Sequence, residues 1–551
     1  MPFFPARTRR VFRHVWRLAL PVIVANMLQS LVNVADVFLA GRLGPIEIAA
    51  VGMGTSVRML VLVGIMAVTA GCMALAAQAR GAGDEVELSR VARQSLSLAV
   101  LLSLVLGLIG YLGAEPILRF LNSGGDPRAV ELGTAYLQIL FAATVFLTLN
   151  FTINSLMQGA GDTITPLYLS AGMNVLNVLF SYLLMFGPGP FPALGVSGAA
   201  LGTALSRALA TVAGIALFYS GRNAVRLLPG ISYLPDREMF RQILSIGIPS
   251  GLQGVARNAS QILVLRIVTS TAAGTYGASA LAIGLQVESL AFMPGLAVSV
   301  AATSLVGRSL GAWQVDEARE RGNVAVALGA LIMGVLGLIL WLFATPLVRL
   351  FDPSAHPTVV AAGTSYLRIN ALSQPILAVA MVVNGALRGA GDTRAPLVAT
   401  LIGRWLVVVP LAYILAFPLG MGVNGVWWAL FAGTTVQAVL VAGRWLGGRW
   451  LDVGLSKSRL YRLHLRFLPE EEQRRYLEEI KAPLMAQVSV RERVEDDGVV
   501  YQLPQGMVRL TFDGSYQVVA GRELLSDGTL ATAQLDALSM PDRAPNRRPT
   551  G

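Results

Sequence analysis

The chain has 551 residues, of which 54% are hydrophobic and 14% charged, and its mean hydropathy is +0.62. One water-soluble domain cannot bury that much apolar surface, so the composition excludes a soluble globular protein and indicates a polytopic membrane protein. The formal net charge is +11, and the single cysteine, Cys72, excludes an intramolecular disulfide and a cysteine metal cluster.

Twelve apolar runs are long enough to cross about 30 Å of hydrocarbon as helices that rise about 1.5 Å per residue. They lie near residues 16–40, 50–77, 95–113, 132–157, 165–186, 194–219, 243–268, 280–306, 323–347, 365–388, 396–418 and 424–446. These runs predict an all-α polytopic membrane protein with twelve transmembrane helices.

The distribution of arginine predicts the orientation of these spans. The arginine-rich residues 1–15 precede a first run that is too long for a signal peptide and lacks a small-residue cleavage site. Connections after even-numbered spans are richer in arginine than connections after odd-numbered spans. The positive-inside rule therefore predicts an inner-membrane protein with both termini in the cytoplasm. Because the same rule explains the net charge, nucleic acid is not an expected partner.

A nine-residue segment occurs twice. Gly159-Ala-Gly-Asp-Thr-Ile-Thr-Pro-Leu167 recurs 230 positions later as Gly389-Ala-Gly-Asp-Thr-Arg-Ala-Pro-Leu397. Three further landmarks recur in the same order at offsets of 227 to 230, and they are Leu18-Ala-Leu-Pro21 with Ile246-Gly-Ile-Pro249, Gly81-Ala82 with Gly311-Ala312, and Gly195-Val-Ser-Gly198 with Gly422-Val-Asn-Gly425. The chain therefore contains a duplicated six-helix unit.

The duplication predicts two lobes, at residues 16–220 and 243–447, joined by a cytoplasmic linker at 221–242. Since six is even, both copies enter the membrane from the same side and are parallel repeats. Two such lobes enclose a cleft that can open to either side, as in alternating-access transporters. No segment resembles a channel selectivity filter, so a channel is not expected. The sequence also has no ATP-binding phosphate loop, and its three histidines form no helical pair, so an enzyme is not expected.

The composition changes beyond Trp450, and residues 448–551 are predicted to form a cytoplasmic tail. Leu468-Pro-Glu-Glu-Glu472 indicates the start of a short helix with acids at its positive end. Two β-hairpins are predicted, at 488–494 with 499–503 and at 507–512 with 516–520, before a disordered end rich in proline and arginine.

Several motifs resemble the multidrug and toxic compound extrusion (MATE) family. They are Asp36-Val-Phe-Leu-Ala-Gly41-Arg-Leu-Gly44, the doubled Gly-Ala-Gly-Asp-Thr-x-x-Pro, and Phe292-Met-Pro-Gly295 followed by Leu305-Val-Gly307 and Leu310-Gly-Ala312. The chain looks closer to the DinF-like bacterial branch. The resemblance implies export of cationic or amphipathic organic compounds in exchange for protons or sodium, with no other cofactor. A monomer in contact with membrane lipid is expected.

Asp36 is the carboxylate inside the N-terminal spans, where a charge costs roughly 2.5–3.5 kcal/mol. Gln29, Asn33 and Asp36 are spaced i, i+4 and i+7, so they share one helix face, which is expected to face the cleft. Two interpretations remain open. Asp36 either takes up and releases a proton or cation, or it is simply hydrated near the outer interface.

The resemblance implies the first interpretation, because in DinF-like members the corresponding aspartate holds the coupling ion beside polar residues of the N-terminal lobe. The matching positions in this sequence are Gln29, Asp36, Asn154, Asn177 and Thr203. Pro21 matches the proline about which the first helix is thought to bend. The alternative is a proline at a helix end with no switching role.

Departures from the family pattern limit the ions that can be predicted. Where many relatives carry a second aspartate on the fifth helix, this chain has Ser181, so a sodium site with two anionic ligands is less expected. In NorM-like members the C-terminal lobe supplies a glutamate and an aspartate, and the aligned positions here are Arg257 and Leu377. The resemblance therefore carries over no C-terminal sodium site.

Glu288, Arg257 and Arg404 are predicted to form a charge network inside the C-terminal lobe. Because an isolated buried charge is costly, we predict that Glu288 pairs with Arg404 or Arg257. The alternative is a Glu288 that faces the cleft as a second proton or cation site.

Two other functions remain as alternatives to an antiporter. A lipid or lipid-linked sugar flippase of related two-lobed fold is expected to have a strongly cationic cavity, so the position of the arginines relative to the cleft distinguishes it. A membrane receptor or scaffold for the tail would lose all function when the tail is removed.

Deletion of residues 456–551 should leave drug efflux within a few-fold of the intact protein, because all twelve predicted spans end before this segment. Efflux from cells that produce each form at equal membrane levels measures this. Complete loss of efflux with normal insertion would contradict the prediction and favour the scaffold.

Overall fold

The computed structural model describes residues 6–121, 126–188, 190–221, 223–312, 314–351 and 356–451, and the backbone of five strands between 491 and 529. The helices are α1 (Ala6–Gly41), α2 (Pro45–Ala82), α3 (Glu85–Leu121), α4 (Pro127–Ala142), α5 (Thr144–Gly159), α6 (Ile164–Phe186), α7 (Gly195–Ser220), α8 (Arg237–Thr269), α9 (Gly274–Gly311), α10 (Val315–Leu342), α11 (Ala344–Phe351), α12 (Pro357–Gly389), α13 (Arg394–Leu401), a π-helical segment (Ile402–Val408), α14 (Val409–Ala416) and α15 (Val423–Leu446).

These helices support the twelve predicted spans within the described residues. Ten stretches are each long and apolar enough to cross a membrane, and α4 with α5, bent by 50°, forms another. The remaining span is α8, which has 33 residues but a lower hydropathy because it carries Gln253, Arg257 and Asn258. A span that carries such residues is stable in a membrane where other helices surround it, and α8 packs between α2, α9 and α13.

Each lobe contributes its first helix to the core of the other lobe. Four residues of α1 belong to an apolar cluster built mainly by α9, α10, α12 and α15, and they are Val11, Val15, Leu18 and Ala19. In α8, Met239, Ile243 and Ile246 belong to a cluster built mainly by α2, α3 and α5. The lobes are therefore joined at the end where α1 begins, which we call the arginine-rich end.

Pro21 and Pro249 both lie inside long helices. Pro21 is in the interior of α1 and Pro249 in the interior of α8. Neither is at a helix end, so each removes one backbone hydrogen bond from a continuous helix. In both helices the proline comes directly after the part that packs into the opposite lobe.

The segment between the lobes is fastened to the start of α3. Arg93 donates from Nη1 to the carbonyl oxygen of Ile231 at 2.8 Å and from Nη2 to that of Leu228 at 2.6 Å. The backbone N–H of Asp236 donates to Oε1 of Gln94 at 2.9 Å. The predicted linker is therefore held to the N-terminal lobe by buried hydrogen bonds, and α8 begins directly after Asp236.

The tail contains a five-stranded antiparallel sheet. Its strands are β1 (Arg491–Glu495), β2 (Gly498–Leu503), β3 (Gly506–Thr511), β4 (Ser515–Ala520) and β5 (Glu523–Thr529), paired in sequence order. Both predicted hairpins are present as β1 with β2 and β3 with β4, whereas β5 was not predicted. The predicted short helix near Leu468 and the predicted disordered end lie outside the described residues.

Asp236 caps α8 and forms an ion pair with Arg90. Burial raises the pKa of Asp236, but the hydrogen bond from Arg90 and the backbone N–H groups of Met239 and Glu238 outweigh burial, so its pKa is below the ordinary value. A lowered pKa in the folded state stabilises the protein above the unfolded-state pKa of about 3.9. The stabilisation is lost as the pH falls through the folded-state pKa.

Asp236→Asn should therefore lower the free energy of unfolding at pH 7 by about 1 kcal/mol, because Asn keeps the cap but loses the ion pair. The difference from the wild type should shrink as the pH falls below about 4 and vanish once the pH is below the folded-state pKa of Asp236. Thermal unfolding of the purified protein across this pH range measures it. A double variant with Arg90→Gln that is destabilised by the sum of the two single effects would contradict the assigned pair.

Candidate functional site: the seam and two polar clusters

Glycines bring the two lobes into backbone contact at the arginine-rich end. A Cβ built on Gly81 of α2 would overlap the carbonyl oxygen of Arg308 on α9, and one built on Gly311 of α9 would overlap that of Gln78 on α2. Gly311 lies 230 residues after Gly81, and Arg308 lies 230 residues after Gln78. The second contact is therefore the first contact repeated in the other copy of the six-helix unit. We call this set of contacts between the lobes the seam.

The nine-residue repeat also lies in the seam. Gln78 donates from Nε2 to the carbonyl oxygen of Gly389 at 2.9 Å, and Ser304 donates from Oγ to that of Gly159 at 3.0 Å. Each copy of the repeat therefore accepts a hydrogen bond from the opposite lobe. This explains why the repeat begins with glycine, since a Cβ on Gly159 or Gly389 would overlap a neighbouring helix backbone.

The aspartate of each repeat has a local structural role. Asp162 accepts through Oδ1 from the backbone N–H groups of Ile164 and Thr165 at 3.2 and 3.0 Å, which caps α6. Asp392 accepts through Oδ2 from Nε of Arg444 at 2.8 Å. These carboxylates fix the turn after the fourth and tenth spans.

A further part of the seam joins α2 to α8. A Cβ on Gly71 would overlap the carbonyl oxygen of Ile243, and one on Gly247 would overlap that of Ala67. Cys72, the only cysteine, is fully buried in the apolar cluster at this junction. Closure of the seam therefore depends on backbone approach that only a glycine permits.

The predicted N-terminal site divides among four helices. Gln29 and Asp36 are half-buried on α1, and Oδ1 of Asp36 is shielded from solvent. The backbone of Asn33 lies in α1, but its side chain is outside the described residues. Since α1 packs against α6 of its own lobe and α9 of the other, this helix contacts both lobes.

Asn177 on α6 and Thr203 on α7 are both buried, and Nδ2 of Asn177 donates to Oγ1 of Thr203 at 3.0 Å. The structure therefore brings these two predicted residues together. Asn154 on α5 is half-buried and donates instead from Nδ2 to Oδ1 of Asn150 at 3.2 Å. Ser181 on α6 is fully buried.

Asn174 was not among the predicted residues, although it is buried on α6 one turn before Asn177. Both polar atoms of its side chain lack a hydrogen-bond partner, and so do Oδ1 of Asn177 and Oγ of Ser181. Buried polar groups are normally hydrogen-bonded to protein or to water. This polar stripe along α6 therefore has unused capacity to bind water, an ion or a polar ligand group. Its i, i+3, i+7 spacing was the available sequence signal.

In the C-terminal lobe, the partners of Glu288 differ from the predicted arginine. Its Oε2 atom accepts from the hydroxyl of Tyr366 and from Nδ2 of Asn370, each at 2.6 Å. In the described structure no ion pair within 4.0 Å joins Glu288 to Arg257 or Arg404. Two neutral donors on α12 thus replace the predicted arginine, because Tyr366 and Asn370 are spaced i, i+4 and both face α9.

The arginines of this lobe surround the same interior. Arg257 on α8 lies over the ring of Phe292 on α9, with 6.0 Å between its Cζ atom and the ring centroid. Arg404 lies in the π-helical segment, a distortion of the eleventh span that is frequent at functional sites. Arg388 on α12 also lies in this lobe and was not predicted.

A cavity of about 680 Å³ lies elsewhere, against the arginine-rich end of the C-terminal lobe. Its lining includes Ser245, Asp392, Arg394 and Arg444. It does not include Glu288, Arg257 or Arg404, so it is distinct from the polar interior described above.

Comparison with known families decides the identity of this two-lobed fold. The MatE family profile matches residues 21–183 and again 249–414, once in each lobe. The chain belongs to the MATE family. It is 30% identical over 435 residues to the probable multidrug resistance protein NorM of Thermotoga maritima, covering 79% of this chain and 92% of that protein. It is 33% identical over 435 residues to multidrug resistance protein NorM of Burkholderia vietnamiensis, covering 78% and 92%.

A solved structure described as the outward-facing conformation of a multidrug resistance MATE family transporter of the MOP superfamily superposes with a TM-score of 0.73. It is 24% identical and covers 81% of this chain and 97% of its own, so it supports the MATE fold. The relatives are transporters and carry the NorM name, which is consistent with the NorM branch. The DinF-like branch remains a prediction.

Gly247→Ala should open the seam of this MATE protein, because overpacking costs about 1–3 kcal/mol and shifts the equilibrium by about tenfold or more. The only cysteine reports the change. Cys72 should react with a membrane-permeable maleimide faster by about the same factor. Gly443→Ala is the matched control, since nothing lies within 4 Å of a Cβ there. Equal rates in wild type and Gly247→Ala would contradict the seam.

Proposed function

We propose that this MATE protein is a secondary active antiporter that exports cationic or amphipathic organic compounds from the cytoplasm in exchange for protons or, less favoured, sodium. The observation that carries the proposal is the seam, in which the contact of Gly81 with Arg308 recurs as that of Gly311 with Gln78, and each nine-residue repeat accepts a hydrogen bond from the opposite lobe. Repeated contacts of this kind form and break together, which produces two discrete states. Two states that expose one cleft to opposite sides are what alternating access requires.

The positive-inside rule supports a cytoplasmic location for the arginine-rich end and for both termini, in the inner membrane. With that orientation, the seam closes the cleft toward the cytoplasm. The cleft of this state then opens outward, where a transported compound is released and a coupling ion from outside binds. The named function of the NorM relatives, multidrug resistance, supports an exporter.

Asp36 is the proposed coupling residue. It is half-buried on α1, in the lobe whose α6 carries buried polar atoms with unused hydrogen-bonding capacity. Protonation removes the charge that makes closure of an apolar cleft costly. Because Asp36 and the part of α1 that packs into the opposite lobe lie on either side of Pro21, a bend there links the ion to the seam.

A proton is favoured over sodium as the coupling ion. Sodium needs several oxygen ligands around one or more carboxylates, and the polar stripe on α6 consists of neutral residues, including Ser181. Small organic molecules and surrounding lipid are the proposed partners, and a monomer is sufficient because each lobe completes the core of the other.

A flippase for lipid or lipid-linked sugar is the second candidate, and a specific observation favours it. Arg257 and Arg404 both lie inside the C-terminal lobe, where a flippase is expected to present positive charge to an anionic headgroup. Transport of a soluble dye and of a labelled lipid by the same preparation distinguishes the two functions.

Asp36→Asn should insert normally and bind substrate, yet accumulate substrate in inside-out vesicles no faster than protein-free vesicles when a proton gradient is imposed. The reason is that Asn mimics the protonated carboxyl permanently and cannot release a proton. Asp36→Glu should retain part of the rate. Gradient-driven accumulation by Asp36→Asn would contradict the assignment of Asp36. If wild-type vesicles accumulated substrate only with sodium and needed no proton gradient, the proton would be the wrong coupling ion, but the assignment of Asp36 would stand.

A further inference from the structure

Three positions that hold an amide in the N-terminal lobe hold arginine in the C-terminal lobe. Gln29 lies eight residues after Pro21, and Arg257 lies eight residues after Pro249. Gln158 directly precedes one nine-residue repeat and Arg388 precedes the other. Asn174 and Arg404 each lie seven residues after the leucine that ends their repeat. Each arginine therefore occupies the position in the C-terminal repeat that an amide residue occupies in the N-terminal repeat.

The arginines converge inside the C-terminal lobe although they come from three spans. Arg257 lies over Phe292 and interacts electrostatically with both Arg388 and Arg404. Helical side chains lean toward the start of their own helix. Since α8 and the eleventh span begin at the arginine-rich end and α12 finishes there, Arg257 and Arg404 lean toward that end and Arg388 leans away from it. The three guanidinium groups are thus directed toward one region.

No protein group neutralises them by direct contact. Within the described residues, the guanidinium groups of Arg257, Arg388 and Arg404 make neither a hydrogen bond nor an ion pair. Arg257 is exposed, and the half-buried Arg388 and Arg404 have no nitrogen that is both buried and unbonded. Their guanidinium nitrogens therefore keep some contact with solvent, which leaves them free to bind an added group.

The local charge count leaves an excess of positive charge. Glu288 is the carboxylate near this group, and it interacts electrostatically with Arg404 while Tyr366 and Asn370 occupy its Oε2 atom. The nearby Asp392 is bonded to Arg444. One carboxylate against three guanidinium groups gives a net charge of about +2 in a region where an unpaired charge is costly. An anionic ligand relieves that cost.

We propose that the arginine cluster, Arg257, Arg388 and Arg404, binds the anionic group of an amphipathic ligand in the C-terminal half of the cleft. The ligand class is an organic carboxylate, sulfonate or phosphate. The planar guanidinium fork matches these groups with two parallel hydrogen bonds, and Phe292 supplies an apolar face beside Arg257 for the rest of the ligand. This inference rests on the proposed function in one respect, that this cleft is the route of the transported compound.

The test compares two dyes that differ in one charge. One is a rhodamine with a free benzoate carboxylate, and the other is the ethyl ester of the same dye. Binding to purified full-length protein in phosphatidylcholine nanodiscs is measured at equilibrium by fluorescence anisotropy, with no ion gradient. The wild type should bind the acid at least about tenfold more tightly than the ester, as expected for a charge-assisted hydrogen bond.

The arginine variants restore the residues of the N-terminal lobe. Arg257→Gln with Arg404→Asn should weaken binding of the acid by about tenfold or more and change binding of the ester by less than about threefold. Arg266→Gln is the matched control, because Arg266 is exposed near the end of the same helix, and it should change neither dye. Equal affinity of the wild type for acid and ester would overturn the proposal without any variant, and so would equal loss of both dyes in the double variant.

A second arm identifies the source of the anion. In nanodiscs that also contain phosphatidylglycerol, weaker binding of the acid to the wild type but not to the double variant assigns the site to a lipid headgroup. Unchanged binding assigns it to a soluble anionic amphiphile, and both results support the anion site. Since no gradient is present, this test is separate from that of Asp36. If the protein exports substrate in response to a proton gradient but does not prefer the acid dye, only the proposed anion site is overturned. If it prefers the acid dye but shows no gradient-driven export, only the proposed antiporter function is overturned.

Discussion

The structure depends on backbone-to-backbone approach of two homologous lobes at one end of the bundle. In lipid, helices gain little from burying apolar side chains against each other, so association relies on small residues that permit close contact and on polar groups that bridge it. The small residues are Gly81, which contacts Arg308, and Gly311, which contacts Gln78. The bridging polar groups are Gln78 and Ser304, which donate hydrogen bonds to the two repeats. A single surface between lobes could weaken gradually. Contacts that occur twice about the same axis favour two discrete states.

The first helix of each lobe connects this seam to the interior of the cleft. The start of α1 completes the core of the C-terminal lobe, and its later turns carry Gln29 and Asp36 beside α6. The start of α8 completes the core of the N-terminal lobe, and its later turns carry Arg257. Each helix has a proline between the two parts. In the proposed mechanism, a change of charge or ligand in the cleft is transmitted along one continuous helix to the contacts that hold the lobes together.

Much of this was predictable because hydropathy and internal repetition are properties of the chain alone. The apolar runs predicted all twelve spans, including α8, whose polar residues require a protein environment. The hairpins β1–β2 and β3–β4 followed from alternating residues around Asp497-Gly498 and Asp513-Gly514, whereas Asp527-Gly528 lies inside β5 and not in the turn before it. The partner of Glu288 was predicted wrongly because attraction between opposite charges was considered without the donors Tyr366 and Asn370, whose position depends on how α12 packs on α9. Asn174 could have been found from its i, i+3, i+7 spacing with Asn177 and Ser181, whereas the burial and accessibility of Asn174 and Arg388 within the bundle are tertiary properties.

A cysteine pair across the seam tests the central claim most directly. A Cβ built on Gly307 lies 2.7 Å from that of Ala77 in the opposite lobe, so Ala77→Cys with Gly307→Cys should form a disulfide after a small adjustment of the two helices. In a Cys72→Ser background, oxidation should stop transport in vesicles and reduction should restore it, with each single cysteine variant unaffected by either treatment. Undiminished transport by fully cross-linked protein would contradict the account, because the seam would then not need to open.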